Sequence, residues 1–174
     1  MNAKNKCAAA SKLYIGSAYY PEQWPETGWK EDIRLMRAAG FNVARLGEFA
    51  WSTLEPETGK FNLDWLERAV AQLAEAGLES VLSTPTAGPP AWLVSQAPDM
   101  LVVDEHGRRA QIGNRCHYCV NSPDFHQAVR RLVQKLAEKF AANPHVIGWQ
   151  LDNEYNRTCY CPRCQELFQG YLAQ

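Results

Sequence analysis

The sequence predicts an α/β fold built on a parallel sheet, and three observations carry that expectation. Short apolar runs of strand length alternate with segments whose apolar residues recur at helical spacing. The junctions repeat: Arg37-Ala38-Ala39-Gly40-Phe41-Asn42-Val43 and Glu75-Ala76-Gly77-Leu78-Glu79-Ser80-Val81 both run from a helix end through glycine into a strand, about one βα unit apart. Strands separated by amphipathic helices pair in parallel through right-handed crossovers.

Taken in order, residues 13–20 read as a first buried strand, stopped by Pro21. Trp29, Ile33, Met36 and Ala39 then mark a helix over 28–39, with Gly40 as its stop. Residues 41–46 form a second strand that ends on Gly47-Glu48-Phe49-Ala50-Trp51. After the Pro56-Glu57-Thr58-Gly59 turn, Asn62 is the expected N-cap of a helix striped by Leu66, Val70 and Leu73 and closed by Gly77. Residues 78–83 are the third strand. Thr84 to Pro90 is a turn-rich loop, 91–97 a short helix, and 98–121 a connection long enough to suggest function. Ser122-Pro123 has the form of an N-cap followed by proline at the first helical position. Phe125, Val129, Leu132, Leu136 and Phe140 mark one face of the helix it opens, and Asn143-Pro144 ends that helix. The fourth strand starts at Val146, and 162–172 again reads as helical. Four βα units amount to half of a (β/α)₈ TIM barrel, which needs about 250 residues. The expectation is therefore the N-terminal half of such a barrel over 13–174, behind a disordered leader at 1–12.

Composition narrows the function classes. Eighteen basic against 19 acidic residues leave no charge excess for a nucleic-acid or membrane-surface partner. No apolar run approaches the ~18 residues of a membrane span. The start carries Lys4, Lys6 and Lys12 but no apolar core of a secretory signal, so a cytoplasmic setting is expected. Six Trp, seven Tyr and six Phe supply rings for a core or for stacking on sugars.

Reactive groups of parallel α/β folds gather at the C-terminal strand ends. Those ends hold Tyr19-Tyr20, Arg45 with Glu48 and Trp51, Thr84, and Asn153-Glu154, a mixture suited to a carbohydrate. Glu154 follows an apolar run and should sit at the mouth, where partial burial would raise its pKa toward that of a general acid. Against this stands the plain reading of Asp152-Asn153-Glu154 as a polar exit from a strand. Glu48 and Arg45 read as an internal ion pair rather than as chemistry. Arg115 is placed to reach a substrate, and His117 reads as a packed loop residue. Cysteine supplies a denser signal: Cys159, Cys161 and Cys164 lie within six residues, and Cys119 precedes the long helix that feeds the fourth strand. In a reducing compartment such clustered thiols point to metal rather than disulfides. Four thiolates around tetrahedral Zn²⁺ would leave no open position, so the metal's role would be structural. Unliganded thiols and a redox dithiol are the alternatives. Cys7 reads as incidental.

These residues resemble the N-terminal part of the catalytic domain of glycoside hydrolase family 42, bacterial β-galactosidases. The matching segments are Tyr20-Pro21-Glu22-Gln23-Trp24, Arg45-Leu46-Gly47-Glu48-Phe49-Ala50-Trp51, Pro85-Thr86-Ala87 with Pro90-Ala91-Trp92-Leu93, Arg115 through Ser122-Pro123, and Gln150-Leu151-Asp152-Asn153-Glu154-Tyr155 with the cysteines. The resemblance implies retaining hydrolysis of terminal non-reducing β-D-galactosides with Glu154 as acid/base. It implies galactose contacts from Asn153 and Arg115, zinc on Cys119, Cys159, Cys161 and Cys164, no organic cofactor, and frequent homotrimers. Cys116 has no counterpart in that ligand set and is a candidate competitor for the metal. Retaining glycosidases use a second carboxylate as nucleophile. No residue here matches the family's nucleophile segment, so this chain by itself is expected to be inactive. A zinc-stabilised, non-catalytic carbohydrate-binding module is the competing reading.

Overall fold

The computed structural model describes residues 12–113, 115–155 and 158–174. The expected leader, apart from Lys12, and Cys7 lie outside the described residues. Four strands, β1 (Gly16–Tyr19), β2 (Val43–Leu46), β3 (Glu79–Ser83) and β4 (Val146–Gln150), form one sheet in the order β1-β2-β3-β4. All three pairings are parallel, with Tyr19 opposite Leu46, Leu46 opposite Leu82 and Ser83 opposite Gln150. A register shift between Ser80 and Val81 lets β4 pass one extra residue, Ile147. The helices are α1 (Trp29–Ala38), α2 (Trp51–Leu54), α3 (Asp64–Glu75), α4 (Ala91–Gln96), α5 (Pro123–Phe140) and α6 (Pro162–Leu172). Sequential parallel strands with helical crossovers are the α/β half-barrel arrangement that the periodicity predicts.

The core lies between the sheet and its helices. Ala44, Leu46, Ser80 and Leu82 face that layer and are buried against Trp29 and Ile33 of α1, Trp65, Leu66, Ala69, Val70 and Leu73 of α3, and Phe125, Ala128, Leu132, Leu136 and Phe140 of α5. Each fully buried leucine contributes roughly 1.5–3 kcal/mol. The alternate residues Val43, Arg45, Val81, Gly148 and Gln150 are half-buried on the other face. At Gly16 the strands meet closely enough that an added Cβ would lie 1.8 Å from the carbonyl oxygen of Val43.

Three local expectations change. β1 is four residues long and exposed at Gly16 and Ser17, because no strand pairs with its outer edge among the described residues. Asn42 extends its pairing instead, accepting from the Ile15 N–H and donating to the Leu13 carbonyl, both at 2.8 Å. Asn62 is not the N-cap of α3: Leu63 occupies that position and makes no side-chain cap, while the Asn62 N–H is spent on the Leu54 carbonyl at 2.8 Å. β4 is likewise an edge strand, with Ile147 and Trp149 exposed rather than enclosed. Ser122 does cap α5, accepting from the Phe125 N–H at 3.3 Å, with Pro123 at the first helical position. None of the helices described is long and apolar enough to cross a membrane.

Candidate functional site

Parallel pairing brings four strand ends to one mouth, and the residues there are joined by hydrogen bonds. Gly47, at φ +81°, turns the chain after β2 so that Glu48 folds back beside Arg45. Arg45 Nη2 and Glu48 Oε2 form an ion pair of 2.8 Å with Glu48 buried. Tyr20, just beyond β1, donates its hydroxyl to the same carboxylate oxygen at 2.5 Å. Burial, and then the bond to the Glu48 carboxylate, push the Tyr20 phenol pKa up, which keeps it a donor. Gln150 closes the circuit. Its Oε1 accepts from Arg45, and its Nε2 donates to Glu48 Oε1 at 3.4 Å, to the Asp152 carbonyl at 3.0 Å and to Asn153 Oδ1 at 3.4 Å.

Glu154 lies four residues beyond β4. Its Oε2 meets Arg115 Nη2 at 2.9 Å, with 56% of each side chain exposed. The partial burial expected for Glu154 is therefore absent. Its strand is the sheet edge, and Leu151 ahead of it is itself 67% exposed. Backbone geometry here is unusual: Asp152 and Glu154 both take left-handed φ, +56° and +47°, on either side of Asn153. Arg115, Asn153 and Glu154, read separately from the sequence, thus stand together. His117 is buried, and its carbonyl accepts the Val102 N–H at 2.9 Å, as a packed loop residue does.

The thiols of Cys119, Cys159, Cys161 and Cys164 converge, with all four sulfurs within 4.8 Å of one another. Cys119 lies 3.8 Å from Cys161 and 3.3 Å from Cys164, sulfur to sulfur. A tetrahedral zinc with Zn–S bonds of about 2.3 Å needs edges of about 3.8 Å, so the residues fit such an ion. The Val103 N–H points at Cys159 Sγ (3.4 Å) and Asn121 Nδ2 at Cys164 Sγ (3.3 Å), donors suited to thiolate ligands. Burial alone would raise the Cys161 thiol, but the Cys164 N–H at the N-terminus of α6 and the neighbouring thiols bring it below its ordinary value. Burial raises Cys119 and Cys164. Cys116 stands apart from this group, its thiol 3.5 Å from the Asn153 carbonyl.

Two contributors escape the sequence reading. Gln150 is the one polar residue in an otherwise apolar strand, which marks it out in the sequence. Tyr118, whose hydroxyl donates to Asp152, carries no mark that separates it from its loop.

Comparison with known proteins now decides the relationship. The family model for glycoside hydrolase family 42, described as β-galactosidase, matches residues 18–174. The chain belongs to glycoside hydrolase family 42. It is 52% identical over 162 residues to the β-galactosidase of Thermus thermophilus, covering 91% of this chain and 25% of the relative. Among solved structures, the Halorubrum lacusprofundi β-galactosidase superposes with a TM-score of 0.89 at 40% identity, over 92% of this chain and 25% of that one. A family 42 β-galactosidase of G. stearothermophilus gives 0.87 at 33% identity, over 91% and 24%. The chain thus spans about a quarter of the length of the curated relatives it matches.

Proposed function

We propose that this family 42 chain is the acid/base-bearing part of a β-galactosidase that cleaves terminal non-reducing β-D-galactosides with retention. The observation that carries the reading is Glu154 beyond the end of β4, paired with Arg115 and adjacent to Asn153 at a polar mouth. Glu154 protonates the leaving oxygen, then deprotonates the water that releases the sugar. Arg115 and Asn153 hold galactose hydroxyls: the guanidinium only donates, whereas the amide both donates and accepts.

Retention requires a second carboxylate about 5–5.5 Å from the first. Glu48 does not qualify, since Arg45, Tyr20 and Gln150 already engage its carboxylate. Asp152 does not qualify either, because Tyr118 and the Asn153 N–H occupy both of its oxygens. The 174-residue chain alone therefore has no turnover, and the nucleophile comes from sequence like that of its longer relatives. Cys119, Cys159, Cys161 and Cys164 hold a structural zinc that ties the long loop to the start of α6 and supplies no reacting group. The protein works in the cytoplasm.

The test compares hydrolysis of a chromogenic β-galactoside by this chain and by an extended protein in which the remaining three-quarters of the Thermus thermophilus relative follows Gln174. Turnover is expected only from the extended protein, and Glu154→Gln should remove at least about 99% of it. Turnover by the short chain, or an extended protein indifferent to Glu154→Gln, refutes the reading. Galactose binding by a monomeric, inert short chain, with no turnover after extension, favours the binding-module alternative.

A further inference from the structure

Glu154 and Asn153 sit on a piece of backbone that L-residues avoid. Asp152 and Glu154 are both left-handed, at φ +56° and +47°, and neither is glycine. Such conformations cost about 1–3 kcal/mol each and persist only where surrounding contacts over-determine them. Asp152 has those contacts. It is buried, at 6% exposure, and every polar group it owns is occupied. Its N–H donates to Thr84 Oγ1 at 2.8 Å. Its carbonyl accepts from Gln150 Nε2 at 3.0 Å. Its Oδ1 accepts the Asn153 N–H at 2.5 Å, and its Oδ2 accepts the Tyr118 hydroxyl. The partners come from three places: the end of β3, the end of β4 and the long loop. Tyr118 is itself fixed, stacked on Phe125 of α5 at 4.0 Å between ring centroids and bridged through its backbone to Leu101.

A polar exit from a strand needs none of this, since water would satisfy each group on the surface without strain. We propose that Asp152, held by Tyr118 and Thr84, is a positioning residue that locks the strained turn and thereby sets the directions of Asn153 and Glu154. This rests on the reading of Glu154 as acid/base and adds that its aim is set by a buried carboxylate on another element's hydroxyl. The Tyr118 hydroxyl ties the turn to the core, so its loss lets the turn relax without disturbing Glu154 chemically. A misplacement of about 1 Å at an acid/base costs on the order of 100-fold in rate.

The experiment uses the extended protein described above and three variants, each read by kcat, KM and melting temperature. Tyr118→Phe removes a single hydroxyl and keeps the ring stack. It should lower kcat about 10- to 100-fold with KM within about threefold. Asp152→Ala loses the carboxylate's two bonds, keeps the backbone bond to Thr84 and keeps the strain, and should lower both kcat and melting temperature. Asp152→Gly loses the lock but relieves the strain, since glycine accepts positive φ. It should regain melting temperature relative to Asp152→Ala and regain no activity. That split is the signature a merely structural residue would not give. A Tyr118→Phe or Asp152→Gly protein with kcat within about twofold of the parent overturns the proposal. So does a kcat loss in Tyr118→Phe no larger than its loss of folded protein. An inactive parent refutes the glycosidase reading itself, a different result from an active parent whose variants are indifferent.

Discussion

Glu22 follows Pro21 at the C-terminal end of β1, in a short 3₁₀ turn, with its Oε2 sealed from solvent and no partner among the described residues. Burial pushes its carboxyl pKa up, opposed by a smaller contribution from its own backbone N–H. The folded chain then holds a proton that the unfolded chain releases near the ordinary glutamate pKa of about 4.3. Stability from this group is complete below that value and is lost as pH rises through the raised one. Glu22→Gln, which carries no charge at any pH, should therefore raise the melting temperature at pH 7 and leave it unchanged near pH 3.5. Thermal unfolding followed by circular dichroism at both pH values checks this, and equal effects at the two would exclude a buried carboxylate as the cause. Legibility from sequence is also uneven at this scale. Glu48 and Arg45 read correctly as an ion pair, because two opposite charges three residues apart at a strand end have few other uses. Glu22 carried no such signal, since its burial is produced by packing around β1 that no local pattern encodes.

At the scale of elements, amphipathic periodicity made α1, α3 and α5 legible, because a helix must bury one stripe wherever it packs. Edge position was not legible. Residues 146–151 are apolar enough for an enclosed strand, yet β4 is an edge among the described residues, and Glu154 is exposed as a result. The long loop shows a third case. Its length suggested function, but not the backbone bonds that pin it, from Cys119 N–H to the Met100 carbonyl at 2.6 Å and from Tyr160 N–H to the Val103 carbonyl at 2.8 Å. Those bonds bring Cys119 to the cysteines before and within α6, so a zinc held by the four thiols would couple metal binding to the order of the loop. Protein purified by gel filtration should carry about one zinc per chain by elemental analysis. Chelation should speed amide hydrogen exchange in residues 101–121 and 158–165 by at least about tenfold, with α3 unchanged. Cys164→Ser should reproduce the chelated pattern with no chelator present. Protein free of metal that exchanges like the wild type would remove the four-thiolate site.

At the scale of the molecule, the sheet ends at β1 on one side and at β4 on the other among the described residues. Leu13, Tyr14 and Ile15 ahead of β1 are 44–73% exposed, and so are Leu167, Phe168, Tyr171 and Leu172 of α6. Ile147 and Leu151 are exposed at the other edge, beside a groove of about 290 Å³ lined by Val120, Phe125, Val129 and Tyr155. Apolar surface on this scale, next to unpaired strand edges, favours association, and a net charge of −1 supplies little repulsion to oppose it. The 174-residue chain should therefore sediment with a concentration-dependent mass and bind an apolar fluorescent dye. In the extended protein the added barrel units should pair with β1 and β4 and cover those faces, so dye binding per chain should fall several-fold. The two measurements separate two causes. Dye binding that persists in the extended protein, with turnover present, would place the sticky surface on α6 rather than at the sheet edges. A Phe168→Ser, Tyr171→Ser double substitution should then abolish it. A short chain that stays monomeric at about 100 μM without binding dye would mean that the exposed strand edges are protected by features other than pairing.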